Sequence, residues 1–241
     1  MDLNINKEKY TFDDFTAIIS ALLGENGCPW DRAQTHDSVM ECLIEECYEV
    51  IDAVKDKNDE AFCEELGDVL LQVVFNAEIA KKRNSFAIDG VIDGIAKKMI
   101  SRHPHVFGTA EAENKEQVLD IWEENKRKEK GYHSVKESME SVPKTFPALM
   151  RAQKVLKKAA KATDQNKDIS DFIDDALIEL LELKISLKTE NCVPLDKYGE
   201  LLLTIADISR ILKINPELAL TNAIETYINK FEHFDIASER K

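Results

Sequence analysis

The chain has 241 residues, 44% hydrophobic and 32% charged, with only eight glycines and six prolines. That balance suits one large or two small globular domains rich in helix. The formal net charge of −14 argues against a nucleic-acid backbone or an anionic membrane as a general partner, while bound divalent cations would still admit a polyphosphate. Five cysteines (Cys28, Cys42, Cys47, Cys63, Cys192) with no CxxC fit a reducing compartment and buried thiols. With no secretory signal at Met1-Asp2-Leu3-Asn4 and no apolar run long enough to span a bilayer, a cytoplasmic protein is expected.

Phe12, Phe15, Ile18, Ile19, Leu22 and Leu23 recur at helical spacing and predict a first amphipathic helix. The loop Gly24-Glu25-Asn26-Gly27-Cys28-Pro29-Trp30-Asp31 breaks it, and Trp30 is expected to pin that loop. Ser38 and Glu41 offer a capping box to a second helix with the core stripe Met40, Leu43, Ile44, Cys47, Val50, Ile51 and Val54. Asp59 is the expected cap of a third, with Phe62, Leu66, Val69, Leu70, Val73 and Val74 buried. A fourth helix runs through Val91, Ile92, Ile95 and Met99 to His103-Pro104, and its other face carries Lys98 and Arg102 at i,i+4. His103 and His105, on either side of Pro104, read as structural packing. A further helix covers roughly residues 113–130. No segment carries hairpin turn chemistry, so the expected fold class is all-α.

The second and third helices carry the chemistry. Glu45-Glu46-Cys47-Tyr48-Glu49 is followed after fifteen residues by Glu65-Leu66-Gly67-Asp68. Acids three apart share a helix face, so two antiparallel helices would bring Glu46, Glu49, Glu65 and Asp68 together. Gly67 is expected to permit their close approach. Four crowded carboxylates repel unless a cation sits between them, and an all-oxygen set suits Mg²⁺ or Mn²⁺.

Residues 131–146, with Ser134, Ser138, Ser141 and Pro143, read as a joint between two halves, 1–130 and 147–241. The second half echoes the first. Glu179-Leu180-Leu181-Glu182 parallels Glu46 to Glu49 at an offset of 133, and Lys197-Tyr198-Gly199-Glu200-Leu201-Leu202 parallels Glu65 to Leu70 at an offset of 132. Lys197 stands where Glu65 stands and Ile178 where Glu45 stands, which points to a structural or interaction role for the second copy.

Taken together, Gly27-Cys28-Pro29-Trp30-Asp31 with Gln34-Thr35-His36, the EExxE and ExxD helices, Arg102-His103-Pro104-His105-Val106-Phe107-Gly108, Trp122 with Lys126, and Phe146-Pro147-Ala148-Leu149-Met150-Arg151-Ala152-Gln153-Lys154 form a set of motifs in order. Over nearly its whole length the chain resembles the MazG-type nucleoside triphosphate pyrophosphohydrolases. The resemblance implies tandem helical MazG-like domains in a dimerising bundle, the second degenerate. It implies the reaction NTP + H2O → NMP + diphosphate, with Mg²⁺ required, as house-cleaning of surplus or non-canonical nucleotides. By position Glu46, Glu49, Glu65 and Asp68 would ligate metal, and Glu45 would orient or deprotonate water. Lys98 and Arg102 would contact phosphates, with Trp122 and Lys126 near the nucleotide. The chain departs from the pattern at Asn76, where a histidine is common, at Thr226 and Asn229, and in ending at Lys241 before a late tryptophan and lysine.

Two other readings compete. A di-iron carboxylate bundle needs Glu-x-x-His, but Ala33, Ile100, Arg102, Lys130 and Lys230 stand three residues before the histidines. A non-catalytic dimeric helical regulator that binds nucleotides is the remaining alternative. No GxxxxGK[ST] stretch supports a P-loop enzyme.

Overall fold

A computed structural model describes residues 6–163, 168–189 and 194–231, and every regular element among them is a helix. In the first unit, α1 (Phe12–Leu23) opens on a capping box between Thr11 and Asp14. The Lys7 ammonium 2.6 Å from Asp14, with the Thr11 hydrogen bonds, holds that carboxyl down at about 2. The loop after α1 requires Gly27, because a Cβ there would lie 2.1 Å from the Leu22 carbonyl oxygen.

α2 (Pro29–Ala33) follows. Trp30 does not pin the loop: the residue is 67% exposed, and its carbonyl takes a hydrogen bond from Gln34 Nε2. α3 (Met40–Lys55) starts without the expected capping box, since Ser38 Oγ is occupied in the preceding turn by Gln34 and Thr35. α4 (Asp59–Lys82) is capped one residue earlier than expected, by Asn58, whose Oδ1 accepts the Ala61 N–H. Lys57 turns the chain between the two helices in the left-handed region, at φ 54°. α5 (Ile88–Arg102) stops at His103, as the following proline dictates, and His103 Nδ1 bonds back to the Met99 carbonyl at 2.6 Å. α6 (Pro104–Phe107) and α7 (Lys115–Lys130) complete this part of the chain.

Ile19 and Leu23 of α1, with Val39, meet Val74, Phe75 and Ile79 of α4, and Phe15, Leu71 and Ile88 close over them. Ser20 Oγ donates to Glu78 across the same contact. The core therefore lies on the C-terminal half of α4, and its N-terminal half is packed against α3. This corrects the expected stripes: Met40, Ile44, Cys47 and Val54 on α3, and Leu66, Leu70 and Val73 on α4, are exposed. Helical periodicity marks an apolar face, and α1 reaches only part of it. Gly67 is also exposed, and a Cβ there would meet nothing within 4 Å, so it does not set the helix spacing. Cys47 and Cys63 are exposed free thiols while Cys28 and Cys42 are half-buried; Cys192 lies outside the described residues.

By its internal contacts the chain divides into Met1–Lys126 and Arg127–Lys241. In the second unit α8 (Val135–Glu140), α9 (Ala148–Thr163), α10 (Ile169–Thr189), α11 (Leu195–Ile211) and α12 (Pro216–Asn229) follow in order. α9 packs against α8, α11 and α12, and α10 against α11. Residues 131–146 contain α8, and Lys158 ties this segment to α9 by reaching Ser138 Oγ at 2.9 Å and lying 5.0 Å from the Tyr132 ring. The repeat noted in the sequence has a counterpart in exposure: Ile44 and Leu177 are 53% and 53% exposed, Tyr48 and Leu181 55% and 56%, Leu70 and Leu202 41% and 39%. Among the described residues no helix is long and apolar enough to cross a membrane.

Candidate functional site

The acid pairs are mirrored about the α3–α4 turn. Glu49 and Glu65 lie eight residues to either side of Lys57, and Glu46 and Asp68 eleven. Two antiparallel helices joined by a short turn bring such mirrored positions level. Carboxylate oxygens of Glu46, Glu49 and Glu65 accordingly all lie within 4.8 Å of one another. Asp68 falls outside this group but acts on it electrostatically.

Glu46 is half-buried, and loss of water raises its pKa, as do the charges of Asp68, Glu49 and Glu65. The Glu65 pKa is raised too, again by desolvation first and then by Glu49, Glu64 and Asp68. Both shifts come first from loss of water and then from like charges crowded on one spot. Glu64 was not anticipated in this role; its position next to Glu65 was the available signal. Glu45 is exposed on α3 and does not belong to the three-residue group.

The other expected residues form a second cluster. Arg102 is buried, with its guanidinium carbon 5.2 Å from the centre of the Trp122 ring, and Lys126 Nζ lies 4.7 Å from the same ring. α5 delivers Arg102 and α7 delivers both Trp122 and Lys126, which are i,i+4 neighbours. Asn125 Nδ2 adds a hydrogen bond to the Ser101 carbonyl. Lys98, one turn before Arg102, is exposed.

A polar link between the Gln34-Thr35-His36 segment and α4 was missed. His36 Nδ1 lies 2.8 Å from Asn76 Oδ1, and Asn76 Nδ2 donates to the Gln72 carbonyl. With the amide so oriented its oxygen accepts, and His36 Nδ1 carries the proton. The departure at Asn76 was the one clue to it.

Fold and site thus define an all-α protein with a carboxylate cluster on a helix hairpin and a cation–aromatic cluster on later helices. Residues 34–107, which include the whole acid cluster, match the family model of the MazG nucleotide pyrophosphohydrolase domain. The chain is 39% identical over 232 residues to the nucleoside triphosphate pyrophosphohydrolase/pyrophosphatase MazG of Thermotoga maritima, covering 95% of this chain and 87% of that protein. It is 33% identical over 214 residues to the nucleoside triphosphate pyrophosphohydrolase of Escherichia coli K12, covering 88% and 81%. A nucleoside triphosphate pyrophosphohydrolase of Mycolicibacterium smegmatis is 44% identical over 136 residues, 56% of this chain and 42% of that one. The chain belongs to the MazG nucleotide pyrophosphohydrolase family.

Proposed function

We propose that the chain hydrolyses nucleoside triphosphates between the α- and β-phosphates, NTP + H2O → NMP + diphosphate, using a divalent cation held in the first unit. The observation that carries this reading is the meeting of Glu46, Glu49 and Glu65 oxygens within 4.8 Å, in a family whose relatives are named for that reaction. The residues fit the cation: three crowded carboxylates, two of them with raised pKa values, lack only positive charge, and oxygen donors suit Mg²⁺ or Mn²⁺. Asp68, one turn along α4 from Glu65, would complete the set. When bound, the cation supplies positive charge to the phosphoryl oxygens and acidifies the attacking water.

The chain's own groups do the rest. Glu45, next to the cluster and exposed, orients the water or takes its proton as its oxygen bonds to the α-phosphorus. The bond from that phosphorus to the bridging oxygen breaks, and diphosphate leaves with the electron pair. Lys98 and Arg102 neutralise the charge accumulating on it. Trp122, with Lys126 beside it, offers the base a stacking surface that tolerates several bases. This tolerance suits house-cleaning of surplus or non-canonical nucleotides.

The same reading takes residues 1–130 as the catalytic domain, 131–146 as the joint and 147–241 as a degenerate second domain. It also takes the chain as a cytoplasmic homodimer or higher homo-oligomer, with the uncovered apolar faces of α3 and α4 as the surface a second copy covers. For the second domain the non-catalytic reading is favoured, because Lys197 replaces an acid there. The test is diphosphate release from a panel of NTPs, dNTPs and deaminated or oxidised nucleotides with Mg²⁺, for the wild type and Glu46→Gln. Release by the wild type and its loss in the variant are expected; no release from any nucleotide, or undiminished release by Glu46→Gln, refutes the assignment.

A further inference from the structure

We infer that Lys197 is the residue that decides which of the two helix hairpins takes a metal ion: in the second unit its ammonium stands where the first unit holds a divalent cation. The inference rests on the metal reading of Glu46, Glu49, Glu65 and Asp68.

In the repeat register Glu179 and Glu182 correspond to Glu46 and Glu49, while Lys197 and Glu200 correspond to Glu65 and Asp68. The matched exposure of Ile44 with Leu177, Tyr48 with Leu181 and Leu70 with Leu202 supports that register in three dimensions. In the first hairpin the position-matched pair, Glu49 and Glu65, are two acids within 4.8 Å of each other. In the second, Lys197 Nζ donates to Glu182 Oε2 at 3.0 Å. A like-charged contact that needs an external cation has become an ion pair that carries its own.

The neighbouring acid is partly satisfied from within the hairpin as well. Thr204 Oγ1 donates to Glu179 Oε1 at 3.0 Å, where the first unit has Gln72 at the matching position. Glu179 Oε2 is buried without a hydrogen-bond partner. The four matched positions carry a formal charge of −4 in the first hairpin and −2 in the second. A divalent ion entering the second would lose one carboxylate ligand and face a compact ammonium at close range. The second hairpin therefore needs no metal and stays assembled when metal is stripped. One substitution, Lys197→Glu, would restore four acids in two pairs three residues apart, as in the first hairpin.

The test measures Mn²⁺ uptake by the full chain, from the paramagnetic resonance of the ion left free. The wild type takes up Mn²⁺, Glu46→Gln loses it, and Glu46→Gln/Lys197→Glu regains it. Should the Lys197→Glu chain fail to fold, the reciprocal Glu65→Lys, which places an ammonium at the matched position of the first hairpin, must abolish uptake with helix content unchanged, and uptake by that folded variant overturns the inference. No uptake by the folded double variant overturns the inference. So does uptake by Glu46→Gln alone that a further Glu182→Gln removes, since the second hairpin would then hold metal with its lysine in place. Uptake by Glu46→Gln that survives Glu182→Gln instead refutes the first-unit metal assignment on which the inference rests.

Discussion

If the exposed apolar faces of α3 and α4 are covered by a second copy, Ile44→Ala must weaken the dimer by an amount the structure allows one to work out. Complete burial of an isoleucine side chain contributes roughly 1.5–3 kcal/mol, and Ile44 keeps 53% of its surface exposed within one chain. Covering that remainder contributes about 1 kcal/mol per protomer on the same scale. A two-fold interface uses each residue twice, giving about 2 kcal/mol, or a roughly thirtyfold rise in the dissociation constant. The monomer's own stability should fall as well, by about 1 kcal/mol on the same scale, because the other half of the side chain is already covered there. Sedimentation equilibrium over a dilution series reads the first quantity, and denaturant unfolding of the dissociated chain reads the second. An unchanged dissociation midpoint, or a wild type that stays monomeric at every concentration, would refute the assignment of this face.

Glu49→Gln and Glu65→Gln are each expected to lower diphosphate release by about a hundredfold or more, as loss of a ligand from a catalytic metal set implies, with helix content by circular dichroism unchanged; normal turnover in either places the metal elsewhere. Raised carboxyl pKa values at Glu46 and Glu65 mean the folded state holds protons more tightly than the unfolded chain there. Their contribution to stability is thus present below the ordinary value of 4.5 and is lost as pH rises through the raised values. Thermal melts should therefore show stabilisation by Mg²⁺ that is small near that pH and larger at neutral pH, and a pH-independent increment would contradict the cluster. Trp30→Phe leaves Trp122 as the one indole, and its fluorescence should be quenched by nucleotides and by base-bearing products but not by inorganic diphosphate. Quenching by diphosphate to the same extent would mean that the ring reports on phosphates rather than on a base.

What the sequence disclosed best was whatever depends on spacing along one element or across one short turn. The acids are legible because three-residue steps fix the helix face, and because Glu49/Glu65 and Glu46/Asp68 are equidistant from Lys57, so pairing the helices antiparallel leaves one meeting point. The end of α5 at His103 follows as directly from Pro104. Capping was less legible, since Ser38 and Asp59 have the right chemistry but Ser38 is engaged by its own turn and Asn58 reaches the Ala61 N–H first. The larger failure has a different cause. Met40, Ile44, Leu66, Leu70 and Val73 show the periodicity of buried residues and are exposed. Periodicity records which face of a helix avoids water in the working assembly, whereas burial within one chain depends on which neighbours that chain supplies. α1 supplies them only over Val74, Phe75 and Ile79. A stripe that continues past its intramolecular cover is thus information about a partner, and here it continues on both hairpins of the repeat, beside intact acids on one and beside Lys197 on the other. The proposed dimer accounts for an apolar face that is present both beside the intact acid set and beside the broken one, because a second copy would cover it whether or not the hairpin carries the catalytic acids.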